Sequence, residues 1–432
     1  MRNSIIRNML NDQFTIVVKT FQGLEEVLAG EIKSLQVKDI QILTRAVSFT
    51  GDLISLYKAN YHLRTALKVL AEVETFQAKN DVELYQKIQG VDWQRYLDPS
   101  QSMAVECVTN SDLFTHSQFI AQRVKDAVVD QLRDRTGKRP RVDREKPDLR
   151  ISIHIADQRV GVLLDSSGSP LYKRGYRSEQ HQAPINEVLA AGLLMLAGYD
   201  GTGHLVDPMC GSGTFLIEGA MIAYRLPPGM YRKSFGFENW KNFSQELFDE
   251  VIDSVEEQPE RKIVITGGDI STESLMLARQ SIHKAILDKM VTVSKTAVQD
   301  FVPPIGTGWM VTNPPYGERI RLRDIDGFYK MLGDRLKNHY RGYQAWICSG
   351  NLDAMKSIGL HPSKRFSLLN GSIPVTFRKF DLYEGSRRAR YAGNQSQPNK
   401  VLRSGPSRRT DKPAPVTRRS GQVSLKKKGS AQ

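Results

Sequence analysis

Apolar positions along the chain change period several times, and each change marks an element. Residues 14–20 are rich in β-branched and aromatic side chains and stop before Gly23, which predicts a strand. Leu24, Val27, Leu28, Ile32 and Leu35 then recur at helical spacing. Short strands are expected at 40–43, 46–50 and 67–73, with a helix from Asp52 to about Tyr61. This β-α-β-β-α-β order is that of a ferredoxin-like module. A second small α/β unit follows from Asp81 to about Asp165. It has a strand at 103–108 and a helical stripe of Ile120, Val124, Ala127, Val128 and Leu132 with Ser117 as its candidate cap. Alternating strands at 149–155 and 160–164 close it. From about 201 to 385, strands at 204–206, 262–266, 291–294, 309–311, 344–348 and 375–382 alternate with helices, notably at 214–224, 272–287 and 326–337. Such alternation predicts a mostly parallel, doubly wound sheet, with ligands outside its C-terminal strand ends.

A chain of 432 residues exceeds what one core usually serves. Its 40% hydrophobic and 25% charged content is that of a globular protein. No apolar run approaches the ~20 residues a membrane span needs, and the start shows no apolar core of a secretory signal. Cys107, Cys210 and Cys348 stand far apart without metal-ligand spacing, so a reducing, cytoplasmic setting is expected, with no metal site and no disulfide framework. The net charge of +14 is concentrated at one end. Residues 386–432 hold 13 Lys and Arg against one acid, leaving 48 basic and 46 acidic residues elsewhere. That tail lacks the apolar residues a core requires and is expected to be disordered, gaining affinity for nucleic acid through counterion release. Within the folded part, Lys138-Arg139-Pro140-Arg141 has no acid between its charges and is a candidate phosphate contact.

Candidate chemistry falls at four strand ends. The first is Asp207-Pro208-Met209-Cys210-Gly211-Ser212-Gly213-Thr214. Gly211 and Gly213 let backbone approach a ligand, and the following helix N-terminus favours an anionic group. The P-loop lysine is missing, so a nucleoside triphosphate is not expected. A zwitterionic ligand fits better, its carboxylate at the amides and its cation near Asp207. An ordinary βα turn would look the same in isolation. The second is Asp269, which could accept both ribose hydroxyls of a nucleoside or merely cap a helix. Its distance from the glycine loop is stretched by an insertion at about 226–261, rich in acids and aromatics. Third comes Asp300 in Gln299-Asp300-Phe301, placed to meet an adenine amine. The fourth is Thr312-Asn313-Pro314-Pro315-Tyr316-Gly317, followed by a basic segment that includes Arg319, a candidate RNA contact. Two prolines end the strand and stiffen the turn, and the residue before them is held extended. The carboxamide of Asn313, the carbonyl of Pro314 and the ring of Tyr316 together suit an exocyclic amine on a flat base. A capped surface turn is the plain alternative.

The segment 207–215 together with 312–319 resembles the class I RNA guanine-N2 methyltransferases that carry a THUMP domain, in particular their RlmL-like 23S rRNA branch. Leu63-Arg64-Thr65-Ala66, Tyr172-Lys173-Arg174-Gly175-Tyr176-Arg177 and Ala183-Pro184-Ile185 share the likeness, which covers about 14–385. Asn186 departs from it, because a lysine is expected there. The resemblance implies an α/β protein: a ferredoxin-like domain at 1–75, an RNA-binding THUMP domain at 76–166, a Rossmann-like methyltransferase domain at 167–385 and the basic tail at 386–432. One methyltransferase domain is expected rather than the fused two-activity form. S-adenosylmethionine is the implied cofactor, with Gly211 and Gly213 at its methionyl end, Asp269 at the ribose and Asp300 at the adenine. Asn313 and Pro314 would face the target amine, with Tyr316 against the base. The implied partner is RNA, 23S rRNA or its precursor first and tRNA as the alternative. A catalytically silent ribosome assembly factor is the reading from a different class.

Overall fold

The computed structural model describes residues 13–177, 185–255, 259–315 and 324–382. In the front lobe, β1 (Phe14–Lys19) buries Ile16 and Val18, and α1 (Glu25–Ser34) lays Leu28 and Ile32 on the sheet. The hairpin β2 (Lys38–Leu43) and β3 (Ala46–Gly51) leads into α2 (Leu53–His62), where the Asp52 carboxylate accepts from the Ser55 amide at 2.9 Å. Next are β4 (Lys68–Gln77), α3 (Asp81–Gly90), β5 (Ser102–Asn110) and α4 (Ser117–Thr136). The lobe ends with β6 (Arg141–Val142), β7 (Leu149–Ala156) and β8 (Arg159–Asp165). Ser117 is the first helical residue of α4, not its cap: His116 holds that position and makes no side-chain cap bond.

All eight strands form one sheet in the order β2-β3-β1-β4-β8-β7-β5-β6. Strand β4 pairs antiparallel with both β1 and β8, so the expected boundary at 75/76 falls inside a strand common to both modules.

The rear lobe contains α5 (Glu187–Leu196), β9 (His204–Asp207), α6 (Thr214–Ala223) and α7 (Gln245–Asp253). It continues through β10 (Ile265–Asp269), α8 (Thr272–Lys284), β11 (Val291–Lys295), β12 (Gly308–Thr312) and α9 (Ile325–His339). Strands β13 (Tyr343–Ser349), β14 (Lys364–Asn370) and β15 (Ile373–Asp381) complete it. The sheet order is β11-β10-β9-β12-β13-β15-β14, parallel from β11 through β13 and antiparallel beyond. The strand order reverses between β9 and β12, which is where a doubly wound sheet opens a crevice.

In the front lobe β4 runs four residues past its expected end and β6 lies where no strand is expected; in the rear lobe two strands depart from expectation. β10 starts and ends three residues later than predicted, because Gly267 and Gly268 belong to the strand. A Cβ on Gly267 would stand 2.6 Å from Leu216, and one on Gly268 2.7 Å from Phe301, so these glycines make room for packing and form no turn. β14 has no counterpart in the expected pattern.

The lobes interpenetrate. Phe235, Phe237, Trp240, Phe248 and Val251 of the insertion belong to the front lobe's core, where Phe237 stacks on Tyr57 at 4.4 Å. Leu24 of the front lobe sits in the rear core. Between them runs a polar network, partly buried at Glu31 and Arg64 and fully buried at Arg174 and Glu218. Glu31 accepts the amides of Arg64 (2.8 Å) and Thr65 (2.9 Å) and the Thr65 hydroxyl. Arg64 donates to the Met221 carbonyl at 3.0 Å. The Arg174 guanidinium donates to the carbonyls of Leu171 (2.9 Å) and Arg64, and lies 3.5 Å from Glu218. Tyr176 donates to the same Glu218 oxygen at 3.0 Å. The adjoining Gly175 has φ +112° and no room for a side chain against the Tyr231 carbonyl.

Both Arg174 and Glu218 are at most 2% exposed, so removing one strands the other's charge. Arg174→Leu should cost about 3–5 kcal/mol in urea unfolding, and adding Glu218→Leu should restore part of it. Equal stability of the native protein and Arg174→Leu would refute this account of the junction.

Candidate active site

At the end of β9 the chain turns through Gly211 (φ +52°) and Gly213 (φ +78°) into α6. The turn is held from the next strand: Cys210 N donates to the Gly268 carbonyl at 2.9 Å, and Gly211 N to Asp269 Oδ2 at 2.9 Å. The other Asp269 oxygen accepts from Ser271 N at 2.8 Å. Space beyond Gly211 is open, since a Cβ there would meet nothing within 4 Å. The N-terminus of α6 has no side-chain cap, whereas α8 and α9 at the same sheet edge are capped by Ser271 and Asp324. The Ser212 hydroxyl is buried beside it without a protein partner.

Asp207 differs from expectation. It is 2% exposed, and its Oδ1 accepts from the Thr312 hydroxyl (2.7 Å) and from Met209 N (3.1 Å). The carboxyl thus ties the end of β9 to the end of β12 beneath the cleft and does not line it. Burial pushes its pKa up to about 7. Asp300 also departs from expectation: it is exposed outside the lining, with its amide bonded to Ala297 O at 2.9 Å, and Gln299 takes the inward place.

The cleft at these strand ends measures about 1710 Å³. Gly211, Asp269, Asn313 and Pro314 line it together, as do the apolar Ile270 (67% exposed) and Phe328 at the start of α9. Thr312 is fully buried, so β12 delivers Asn313 to the edge from a fixed base. Tyr316 and Arg319 lie outside the described residues. Lys138, Arg139 and Arg141 are exposed on the front lobe after the left-handed Gly137 that ends α4, and the structure does not bring them into the cleft. A smaller cavity of about 510 Å³ near Glu31 and Arg64 is remote from the strand ends.

Several further residues join the site. Arg177 pairs with Glu187 at 3.1 Å and touches the Thr214 hydroxyl, joining the starts of α5 and α6. Asn186, where the resemblance implies a lysine, caps α5 by accepting from Val188 N at 2.9 Å. The β14–β15 turn at Asn370 and Gly371 also reaches the cleft. The ribose-side acid and the Asn-Pro-Pro turn carry sequence signals; these residues carry none beyond the resemblance at 172–177.

Comparison with known proteins agrees with this layout. The RMKL-like methyltransferase domain matches residues 174–379, the THUMP domain 78–165 and the RlmL ferredoxin-like domain 15–70. A Synechocystis protein provisionally named an RNA methyltransferase is 36% identical over 84% of this chain and 95% of its own length. The chain belongs to the RlmK/L-type RNA methyltransferases. The large-subunit rRNA methyltransferases K/L of Syntrophotalea carbinolica and Methylococcus capsulatus are 35% and 36% identical over 84% and 87% of this chain. The chain spans only about half of their length (53% and 52%). Among solved structures, a Clostridium difficile 630 protein described as a possible methylase aligns with TM-score 0.78 at 30% identity, over 87% of this chain and 100% of that one. A provisionally named methyltransferase crystallised with SAH aligns with TM-score 0.77 at 28% identity, over 87% and 100%.

The methyltransferase uses S-adenosylmethionine, and the cleft's residues fit it. Uncapped amides at the start of α6, beside Gly211 in the lining, offer donors to a carboxylate, Asp269 offers an acceptor at the rim, and Ile270 offers an apolar face. Among the described residues no His, Cys, Asp and Glu group could hold a metal ion, and no helix is long and apolar enough to cross a membrane.

The raised carboxyl of Asp207 has a measurable consequence. Its folded pKa lies above the ordinary value of 3.8, so it stabilises the fold while protonated, and that contribution is lost as pH rises toward about 7. Asp207→Asn keeps an Oδ1 acceptor for Thr312 and Met209 but cannot ionise. Its stability relative to the native protein should therefore rise between about pH 4 and about pH 7 in denaturant unfolding. A difference independent of pH would show the carboxyl to be unperturbed.

Proposed function

We propose that this methyltransferase transfers a methyl group to N2 of a guanine in structured RNA, with 23S rRNA as the substrate. The observation that carries the reading is Asn313-Pro314 at the buried end of β12, lining the same cleft as Gly211 and Asp269. An exocyclic amine is a poor nucleophile because its lone pair is delocalised into the ring. The Asn313 side-chain oxygen and the Pro314 carbonyl accept its two N–H bonds, which favours a pyramidal nitrogen. When bound, S-adenosylmethionine supplies an electrophilic methyl on a sulfonium. The protein's part is then positioning and electrostatics, and no strong base is required, since the amine becomes more acidic as it is alkylated.

In the same reading Gly211 and Gly213 cradle the methionyl end and Asp269 holds the ribose. Phe328 and Ile270 offer apolar surface to the rings. The adenine contact assigned to Asp300 passes to Gln299, which faces the cleft. The target base must leave its stack to reach the Asn313 turn. The front lobe, with the exposed Lys138-Arg139-Arg141 loop, grips the RNA backbone, and shape rather than sequence selects the site. The rRNA part of the reading is supported by the K/L relatives, which are named as methyltransferases of large-subunit ribosomal RNA.

Asn313→Ala should lower N2-methylguanosine formation on naked 23S rRNA by about 10²–10³-fold, with SAH affinity unchanged by calorimetry. Undiminished methylation would remove Asn313 from the mechanism, and nucleoside mass spectrometry that found N6-methyladenosine would redirect the reading to adenine. Replacing Lys138, Arg139 and Arg141 together by Ala should weaken RNA binding uniformly across sequences and reduce its salt dependence. A salt dependence equal to that of the native protein would show the loop to be a solvated face.

A further inference from the structure

The cleft is larger than a cofactor requires. Its volume of about 1710 Å³ exceeds the roughly 300–1,000 Å³ of a small-molecule site. Its outer wall is built from three segments remote in sequence: a front-lobe turn, the strap before α5 and the insertion. Each contributes one exposed lysine, respectively Lys146, Lys173 and Lys233.

These lysines stand on fixed backbone. Asp143 Oδ1 accepts from Glu145 N and Lys146 N, both at 2.9 Å, and Arg150 donates to the carbonyls of Arg144 (3.2 Å) and Glu145 (3.4 Å). The second and third lysines are brought together by Arg232. Its guanidinium donates to the carbonyls of Ser167 (3.2 Å), Ser169 (2.9 Å), Pro170 (3.0 Å) and Lys173 (2.9 Å) and to the Ser169 hydroxyl. Arg232 is therefore spent on structure, and Lys233 beside it is left facing the cleft.

Among the described residues, the three ammonium groups of this mouth are unpaired, whereas Lys68, Lys125, Lys337 and Lys356 all have partners. Among the acids of the same cleft, Asp269 is bonded to Gly211 and Glu187 to Arg177, which leaves Glu145 exposed on the lysine's own turn. Ammonium groups on flexible stems meet phosphates without reading sequence, and an exposed aromatic ring stacks any base. Tyr172 lines the cleft next to Lys173, half-buried.

We propose that Lys146, Lys173, Lys233 and Tyr172 form a strand-binding mouth, which holds the single-stranded RNA flanking the target nucleotide. The inference rests on the RNA-methylating reading above and adds where the substrate backbone runs. It makes the insertion part of the substrate site.

The test uses the full chain, a fluorescent mixed-sequence single-stranded RNA and naked 23S rRNA. The combined variant Lys146→Ala, Lys173→Ala, Lys233→Ala should raise the KM for rRNA about 10-fold or more. It should also flatten the slope of log K against log salt by about 2, at roughly 0.7 for each phosphate no longer neutralised. SAH binding by calorimetry should stay unchanged, and the three Lys→Arg changes should retain the native slope. A control lacking the exposed Lys33, Lys79 and Lys289 removes equal charge elsewhere and should keep the slope. Should the combined variant fold poorly, Lys146→Ala and Lys233→Ala singly should each flatten the slope by about 0.7. An unchanged slope in the mouth variants, or an equal loss in the control, would overturn the proposal while leaving the methylation reading intact. A native protein that bound neither RNA would overturn both.

Discussion

The junction between the lobes depends on charges withdrawn from water, completely for Arg174 and Glu218 and in part for Glu31 and Arg64. Taking Arg174 and Glu218 out of water is costly, and the cost is offset by their mutual attraction and by the bonds of Arg174 to two carbonyls and of Tyr176 to Glu218. Glu31 receives the backbone of the α2–β4 connection, Arg64 and Arg174 bridge it to α6, and Tyr176 closes on Glu218. Glu31 and Arg64 come from the front lobe, Glu218 and the Met221 carbonyl from the methyltransferase helix, and Arg174 from the strap between them. Separating the lobes would leave several of these groups unpaired at once. The position of the front lobe over the catalytic cleft is therefore fixed by polar satisfaction as much as by apolar burial.

Apolar exchange reinforces this. An aromatic side chain buried in its neighbour's core contributes roughly 1.5–3 kcal/mol, and the insertion commits Phe235, Phe237 and Phe248 to the front lobe. Leu24 goes the other way and fills the space left by Gly192, where a Cβ would collide with it. The cleft wall thus combines residues from both halves of the chain, which one domain could not provide.

Much of the site is legible in the amino-acid sequence, because βα alternation punctuated by Gly and Pro is a local signal. Asp207, Gly211, Asp269 and Asn313 are each placed at a strand end by their own neighbours in the chain. Side-chain direction is not legible in the same way. Asp207 turns inward because Thr312, on a strand adjacent only in the fold, donates to it. Gly267 and Gly268 imitate a turn, yet their meaning lies in Leu216 and Phe301 pressing on the strand. The contacts of Glu31, Arg64, Arg174 and Glu218 join positions far apart in the chain, and no periodicity or spacing announces such a network. The aromatic-rich composition marks the insertion as unusual without saying whose core it enters.

That last feature bears on the order in which the protein is made. Strand β8 ends at Asp165, while the side chains that seal the front core lie at 235–251. The carbonyls of Ser167, Ser169 and Lys173 likewise receive the Arg232 guanidinium only when that residue has been made. A nascent chain emerging from the ribosome with all eight front strands complete would still expose the surface around Tyr57 and Tyr61. The front lobe thus matures only after much of the methyltransferase lobe's first half has been synthesised, and the two acquire their final form as one cooperative unit.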